Sequence, residues 1–584
     1  MLRVLPAVLL VVALALHSHA LTISYDVAHP RPENHTYEMT MEVGEVQGGS
    51  IDIAMPAWTP GYYKIQNHAK NVRDFTAKSA AGDLKWEMID KQTWRIQTGG
   101  ATSITLRYRV YAHQLTATGA DLTDEHAYFH ASWICMYAVG ALRTPSTLHL
   151  HPLPGWKTAT GLEPAAGENT YTAPDYDVLV DSPVLMGNLD IREFTAGGAL
   201  HQVVLHGNPV YDRVAMTKDV EKIVNAQLTS MGAPPYKRYV FLLMFPRWGS
   251  GGLEHLNSTT IVANGEELPN RDRYIRFLFV VSHEFFHLWN VKRIRPAQLG
   301  PFDYTKEVMT RNLWVHEGFT NTYAWLSMQR GGVLNRQEYL NYVQEELNNL
   351  MRRDGRKRTS AAASSWRTWY DADDGDDVEV SYYTSGHIIG VALDLEIRRR
   401  TAGAKSLDDV MKLAVEKTRG AGYANDDFCA IVNETAASDF SEFFERYVYG
   451  TKELPLAELF PPFGVTYEAH VDAVESDPGF DCWGIGEDLV KITRVPEEGP
   501  AVDAGFDEGD VLLSAEGKRL RAGTFWAWVH SKKPGEKITF QLFRGERLLE
   551  KTVTLREKKK ITHLLKLVEK PTEDQKKAQD GWLK

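Results

Sequence analysis

The stretch VVSHEFFHLWNVKR, residues 280–293, carries two histidines four residues apart, with a glutamate directly after the first. Apolar residues recur every three to four positions through it and the residues before it, which predicts an amphipathic helix. Residues four apart project from the same face of a helix, so His283 and His287 can place two imidazoles about one ion. Glu284 lies about 100° around the helix and stands beside that ion rather than on it. The arrangement favours a metal-binding helix that carries its own base.

The alternative is a buried apolar helix that carries these residues by chance. Two histidines and a glutamate among the side chains of FLFVV, FF and LW are costly to bury without partners, and a metal ion with its surrounding contacts supplies them. We therefore predict one zinc ion per chain, bound by His283 and His287. Glu284 is the predicted general base for a water that attacks a carbonyl.

A catalytic zinc ion usually has three protein ligands, so a third must come from elsewhere in the chain. The stretch LWVHEGFTNTY, residues 313–323, is predicted to be a second helix, in which His316 and Glu317 are adjacent. Both residue types bind zinc, and the chemistry of the side chains alone leaves the choice open.

Residues 21–190 and residues 191–465 have different patterns of apolar residues. In the first range, stretches such as TYEMTMEV and SITLRYRVYA alternate apolar and polar residues between Gly, Pro and Asn, which predicts a β-rich domain. In the second, the apolar run YVFLLMF precedes stretches with helical periodicity, among them TSGHIIGVALDLEIRRRTAG. Strands followed by helices indicate a multidomain α+β chain whose second unit suits a metallopeptidase.

Residues 466–557 return to short strands, with a hairpin turn at residues 544–546. The stretch GPAVDAGFDEGDVLL resembles a PDZ domain of the kind attached to bacterial proteases. In this PDZ-like unit, the stretch CWGIG, residues 482–486, is a candidate loop for binding the carboxylate of a C-terminal peptide. A structural or gating role of that loop is an equal alternative. The charged residues 558–584 are expected to form a surface tail. The acidic stretch DADDGDDVE, residues 371–379, lacks the ligand spacing of an EF-hand and is predicted to be a solvated loop.

The N-terminal residues predict the localisation of the protein. Residues 1–20, MLRVLPAVLLVVALALHSHA, contain an apolar run that is shorter than the ~20 residues of a membrane span and ends in small residues. This pattern indicates a signal peptide and export to the periplasm or the medium, with a retained anchor as the alternative. No later stretch is long and apolar enough to span a membrane.

The net charge and the cysteine content exclude some classes of partner and of metal site. The net charge is −11, without a long basic stripe, which argues against nucleic acid as the main partner. The three cysteines lie far apart in the sequence and cannot form a disulfide framework, although a single disulfide bond is possible. Because there is no CxxC, a metal site must use histidines and carboxylates.

The stretches HEFFH and WVHEGFT together resemble the gluzincin metallopeptidases. The resemblance implies that Glu317 is the third zinc ligand beside His283 and His287. A closer resemblance is to the glycyl aminopeptidase family, through MPAWTPGYY, GGLEHLNS, SHEFFHLWNVKRIRP, LWVHEGFT and SYYTSG in this order. That family combines a β-rich N-terminal domain, a thermolysin-like zinc peptidase domain and a PDZ domain, expected here at residues 21–190, 191–465 and 466–557.

The same resemblance implies residues of the substrate cleft. Those expected to bind substrate are Gly251, Gly252 and Glu254. Glycines let a peptide backbone approach a strand edge, and Glu254 is expected to pair with the free α-amino group of the substrate. Tyr383 is expected to stabilise the oxyanion of the reaction, with Tyr382 in a supporting position. The chain departs from the relatives at His255, where aminopeptidase N relatives have Asn, and at Ser385, where the family usually has Lys.

These observations together favour an exported zinc aminopeptidase that removes N-terminal residues from peptides, with Gly or Ala favoured by the resemblance. Its expected partners are peptides with a free N-terminus and, at the PDZ-like unit, C-terminal peptides. One alternative is a zinc endopeptidase with an open cleft. Another is a PDZ-bearing binding or quality-control protein whose hydrolase domain is vestigial.

Overall fold

The computed structural model describes residues 21–370, 379–418, 421–424, 428–485 and 489–584. The predicted signal peptide (residues 1–20), nearly all of the acidic loop (residues 371–378) and Gly486 of the CWGIG stretch lie outside these ranges. Among the described residues, no helix combines the length and the apolar content needed to cross a bilayer. Cys135, Cys429 and Cys482 are free thiols.

The N-terminal domain is β-rich, as predicted. In the described chain its strands form three sheets of eight, five and four strands. In the largest sheet, Thr22–Ala28 pairs parallel to Ser146–Leu150 and antiparallel to Thr36–Gly44. Alternate residues of these strands are buried, because successive side chains point to opposite faces and one face meets the core. The strands are Thr22–Ala28, Thr36–Gly44, Ser50–Ala54, Val72–Ser79, Gly82–Asp83, Trp86–Met88, Thr93–Gln97, Ser103–Tyr111, His113–Gln114, Ala120–Leu122, His126–Phe129, Tyr137–Ala138, Ser146–Leu150, Lys157–Thr160, Glu163–Pro164, Thr170–Ala173 and Val184–Gly187; the short helices are Ala131–Ile134 and Tyr176–Val180.

The catalytic domain begins with a five-stranded sheet in the described part of the chain. In spatial order its strands are Asp190–Ala196, Ala199–Gly207, Arg238–Phe245, Ser258–Val262 and Gly251–Glu254. The central strand Arg238–Phe245 is buried from its second residue onward, which explains the continuous apolar run in the sequence. The strand Gly251–Glu254, here called the edge strand, ends the sheet and runs antiparallel to Ser258–Val262.

Helices pack on this sheet and on each other around the largest apolar core. Arg271–Phe286, here called the motif helix, begins at the N-cap Asn270, whose side chain accepts hydrogen bonds from two backbone N–H groups. It buries Phe277, Leu278 and Phe285 in the core. The helices predicted from periodicity are confirmed. The helices of this domain are Arg213–Met231, Arg271–Phe286, Trp314–Phe319, Thr320–Arg330, Arg336–Met351, Ala361–Arg367, Tyr382–Arg400, Leu407–Thr418, Phe428–Ala436, Ser441–Phe444, Glu445–Tyr449 and Leu456–Leu459.

The PDZ unit has a core of its own, which includes Phe480, Phe506 and Phe540. The predicted hairpin is present: Arg544 pairs with Arg547, and Gly545 in its turn has a φ of 59°. The strands are Asp481–Ile485, Leu489–Arg494, Val511–Ala515, Lys518–Arg519, Lys537–Arg544 and Arg547–Thr554; the helices are Pro500–Asp503 and Phe525–His530.

The segment beyond residue 557 is not the surface tail that its charge suggested. Arg556–Leu567 pairs antiparallel with Val465–Asp477, and this two-stranded ribbon connects the PDZ unit to the catalytic domain. The last helix, Glu573–Trp582, returns to the catalytic domain, where Trp582 is 1% exposed in the main core. Arg398 donates to the backbone carbonyl of Gly581 at 2.7 Å. Burial of Trp582 in the core therefore holds this segment against the catalytic domain, although most of its residues are polar or charged.

Candidate active site

Three ligand atoms converge between the motif helix and the next helical segment. The Nε2 atoms of His283 and His287 are 2.9 Å apart. Oε2 of Glu317 lies 3.3 Å from each of them. Two ligands of one tetrahedral zinc ion, each at about 2.1 Å, are separated by about 3.4 Å. The three side chains are therefore spaced as ligands of a single small cation, and all three are buried.

The hydrogen bond made by His287 fits a metal ligand. Nδ1 of His287 lies 2.7 Å from the carbonyl oxygen of Asn290. Because a carbonyl only accepts, Nδ1 carries the proton and Nε2 offers its lone pair to the site. Nδ1 of His283 has no hydrogen-bond partner among the described residues. Two imidazoles and one carboxylate form the ligand set of many zinc hydrolases.

Glu317 lies in a π-helical turn, Trp314–Phe319, that leads directly into the helix Thr320–Arg330. Such single turns are frequent at functional sites. The neighbouring His316 is turned away from the site, with Nδ1 3.1 Å from Oδ1 of Asn290 and Nε2 3.0 Å from the hydroxyl of Tyr423. The structure thus places Glu317, and not His316, beside the two histidines.

Glu284 stands beside these three ligands. Its carboxylate has an oxygen within 4.8 Å of the ligand nitrogens of both histidines. A Cβ atom on Gly252 of the edge strand would lie 2.3 Å from Oε1 of Glu284, so only glycine fits there. Burial raises the pKa of Glu284 well above its usual value, and Glu254 nearby acts in the same direction, against the opposing effect of His287. The close contact with Glu284 thus requires glycine at position 252.

Tyr383 lies in the first turn of the helix Tyr382–Arg400. Its ring is 6.2 Å from the ring of His283, with an angle of 24° between the planes. Tyr383 is 37% exposed, beside the buried His283. The ring of Tyr382 stacks on that of Tyr383, with centroids 4.9 Å apart, and its hydroxyl lies 3.0 Å from that of Thr368. Ser385, which stands where the family usually has Lys, donates to the carbonyl of Ser381 and leaves Tyr383 in place.

Glu254 ends the edge strand and is 5% exposed. Gly61, from the loop MPAWTPGYY of the N-terminal domain, packs against it: a Cβ atom there would lie 2.9 and 3.0 Å from the two carboxylate oxygens. Gly61 also has a φ of 93°, which favours glycine. Gly251, with a φ of 135°, has open space where a side chain would be. A loop of the N-terminal domain therefore packs against the end of the edge strand, and Gly61 and Glu254 both line a cavity of ≈ 340 Å³.

The sequence did not single out the polar groups behind Glu254. Nζ of Lys292 lies 3.8 Å from Oε1 of Glu254 and 2.7 Å from Oδ1 of Asp181. Burial alone would raise the pKa of Asp181, but the Lys292 ammonium and a hydrogen bond from His255 lower it to about 2. Lys292 lies in NVKRIRP, just after the motif helix, and this position near His287 could have indicated from the sequence that its side chain is close to the site. Asp181 offered none, because its partners are distant in the sequence.

Three family models match successive parts of the chain. Residues 24–188 match the M61 peptidase N-terminal domain, residues 276–389 match the M61 glycyl aminopeptidase, and residues 466–555 match a PDZ domain. No curated protein matches the sequence significantly.

One solved structure shares the architecture over nearly the whole chain, and others are more distantly similar. An aminopeptidase N family protein from Idiomarina loihiensis is 27% identical, with a TM-score of 0.87 over 96% of this chain and 100% of its own. An M1 zinc metallopeptidase from Deinococcus radiodurans is 15% identical, with a TM-score of 0.49 over 75% of this chain and 96% of its own. A yeast LTA4 hydrolase in complex with bestatin is 12% identical, with a TM-score of 0.46 over 74% of this chain and 68% of its own. Two M61 peptidase models and a PDZ model thus match the chain in this order, beside a full-length match at 27% identity, and these similarities identify the protein as a metallo-aminopeptidase.

Proposed function

We propose that this protein is an exported zinc aminopeptidase that hydrolyses the first peptide bond of peptides with a free N-terminus. The observation that carries the proposal is a three-residue ligand set, a buried base and a second buried carboxylate close to each other. His283, His287 and Glu317 are the proposed ligands, beside Glu284. Glu254 is the second carboxylate, two residues after Gly252, which contacts Glu284.

The chain's own residues account for substrate placement. An extended peptide can add to the free side of the edge strand, where Gly251 leaves room for its backbone. Its ammonium group would meet Glu254, a buried carboxylate two residues from Gly252, which contacts Glu284. A buried carboxylate that pairs with a free amine favours an aminopeptidase over an endopeptidase.

The reaction needs a nucleophile, a proton carrier and a stabilised oxyanion. The two imidazoles and Glu317 would hold a zinc ion, which would supply Lewis-acid chemistry there. Glu284 takes the proton of the attacking water and then passes it to the departing amine. The hydroxyl of Tyr383 donates to the oxyanion that develops on the substrate carbonyl. Because all these groups are retained, the structure supports an active hydrolase rather than a vestigial one.

Three further parts of the proposal have narrower support. A preference for Gly or Ala rests on the match to the glycyl aminopeptidase model. Export rests on the signal-like residues 1–20. Binding of C-terminal peptides rests on the PDZ match and on the strand Asp481–Ile485, which pairs with one neighbour in the described chain and exposes 75% of Trp483.

Three chromogenic substrates and metal analysis test the proposal. Alanyl p-nitroanilide has the free amine, its N-acetyl derivative blocks it, and propionyl p-nitroanilide lacks it. We expect one zinc per chain and kcat/KM at least about 100-fold higher for the alanyl substrate than for the other two, because a buried carboxylate is left unpaired without the amine. Equal cleavage of all three substrates would favour the endopeptidase, and binding without turnover would favour the vestigial hydrolase.

A further inference from the structure

Asp181 comes from the N-terminal domain, directly after the helix Tyr176–Val180. Its carboxylate makes three contacts, all with the catalytic domain. Oδ2 accepts a hydrogen bond from the backbone N–H of Leu256 at 2.7 Å, and Oδ1 lies 3.2 Å from Nδ1 of His255. Oδ1 also lies 2.7 Å from Nζ of Lys292. One largely buried side chain thus connects two domains.

These three contacts surround Glu254. His255 and Leu256 are the two residues that follow it, so Asp181 fixes the chain where the edge strand ends. Lys292, held by Asp181 on one side, reaches Oε1 of Glu254 at 3.8 Å on the other. Both the backbone and the charged neighbour of Glu254 are therefore set by a residue outside the catalytic domain.

The signs of the charges give this contact a function. Asp181, Lys292 and Glu254 form a row of negative, positive and negative groups, all shielded from solvent. Lys292 with Glu254 alone would be a closed neutral pair, in which the lysine competes with the ammonium group of the substrate. Nζ of Lys292 lies closer to Asp181, at 2.7 Å, than to Glu254, at 3.8 Å, so Asp181 offsets more of its charge. Arg293 and Arg295 line the same cavity and also interact with Asp181. Side chains shielded from solvent interact more strongly than charges in water.

We propose that Asp181 is a positioning residue for the amine-binding glutamate: it holds the end of the edge strand and balances Lys292, so that Glu254 remains available to the ammonium group of the substrate. The N-terminal domain thereby takes part in selecting a free N-terminus. This inference rests on the proposed function, because it assigns the amine to Glu254.

A matched control lies in the same helix. Asp177 is also a carboxylate of the N-terminal domain and lines the same cavity of ≈ 340 Å³ as Asp181, Glu254 and Lys292. It accepts a hydrogen bond at 2.6 Å from the hydroxyl of Tyr304, a residue of the range 191–465 whose side chain packs in the core of the N-terminal domain. Asp177→Asn removes the same charge from the same cavity without touching the edge strand.

The test compares Asp181→Asn with Asp177→Asn in the full-length, zinc-loaded protein, with alanyl and propionyl p-nitroanilide. We expect Asp181→Asn to raise KM for the alanyl substrate about 10–100-fold, the range for loss of a charged hydrogen bond, with kcat and zinc content nearly unchanged. Asp177→Asn should leave KM within about twofold, and the slow hydrolysis of the propionyl substrate should be equal in all three proteins. An unchanged KM for Asp181→Asn, or an equal rise for both variants, overturns the inference.

Two double variants separate positioning from a loss of folding. In a Glu254→Gln background, Asp181→Asn should have no further effect on KM, because it acts only through Glu254. Asp181→Asn combined with Lys292→Met removes the competing cation with little change in shape, and KM should return at least part of the way to the wild-type value. No recovery in this soluble double variant contradicts the charge argument. If the wild-type protein does not distinguish alanyl from propionyl substrate, the proposed function itself fails, which is a different result.

Discussion

The metal centre and the amine-binding end of the cleft are built in different ways. His283, Glu284, His287 and Glu317 come from two helical segments of one domain, within 35 residues of sequence. The surroundings of Glu254 come from an edge strand, the segment after the motif helix and two parts of the N-terminal domain, at Gly61 and Asp181. The groups proposed to break the bond thus belong to one domain, whereas the surroundings of the carboxylate proposed to bind the amine come from two.

This difference separates the expected kinetic effects. Changes at the metal centre should slow the reaction of every substrate, because the groups there act on the scissile bond. Changes at the amine-binding end should matter only for substrates that carry an amine. A variant series with alanyl and propionyl p-nitroanilide can therefore assign each residue to one region.

The largest effect is expected for Glu284→Gln. The amide cannot take a proton from the attacking water, and loss of a general base costs about 10²–10⁴-fold in rate. We expect kcat to fall by this factor for the alanyl and the propionyl substrate alike. A loss confined to the alanyl substrate would move Glu284 from the metal centre to the amine site.

Tyr383→Phe should have the next largest effect. The phenyl ring keeps the packing on His283, while the lost hydroxyl removes one oxyanion donor, a change of about 10²–10³-fold in kcat. Tyr382→Phe is the matched control, since that hydroxyl bonds Thr368, and we expect kcat to change less than about threefold. Steady-state kinetics that rank the two variants in the opposite order would exchange their roles.

Glu254→Gln should affect only one class of substrate. We expect kcat/KM for the alanyl substrate to fall about 10–100-fold, because a charged hydrogen bond to the amine is lost. The rate with the propionyl substrate should be the same as that of the wild-type protein. If both rates fall together, Glu254 contributes to the chemical step and the division into two regions is wrong.

The smallest effect on turnover is expected for Trp582→Ala, far from both regions. Its side chain fills the core of the catalytic domain, so truncation should destabilise the protein by about 3–5 kcal/mol and lower the unfolding temperature by about 5–10 °C. Turnover per folded molecule at 25 °C should stay within about twofold. An unfolding temperature equal to that of the wild-type protein would contradict the burial of Trp582 and would indicate that residues 573–584 form a surface tail.

The sequence predicted the two regions unequally, for physical reasons. His283, Glu284 and His287 lie on one helix, and the period of a helix fixes their relative directions. His316 and Glu317 are adjacent, and the direction of each depends on a π-helical turn that residue types alone do not specify. The family resemblance supplied the choice there, and the structure agrees with it.

The amine-binding end depends on contacts over long stretches of sequence. Asp181 and Lys292 are 111 residues apart and lie in different domains. A single aspartate after a short helix has no local pattern that distinguishes it from a solvated residue. The final helix shows the same limit, because its many charged residues conceal the burial of Trp582. Local periodicity thus predicted elements and their faces, while tertiary packing decided the rest.

The most direct test of the central claim is the zinc content of two purified variants, Glu317→Gln and Glu284→Gln, beside the wild-type protein. Both glutamates lie close to the two histidines, and the account assigns zinc binding to Glu317 and proton transfer to Glu284. We predict one zinc per chain in the wild-type protein and in Glu284→Gln, and a content well below one in Glu317→Gln. Full zinc content in Glu317→Gln together with its loss in Glu284→Gln would contradict the account.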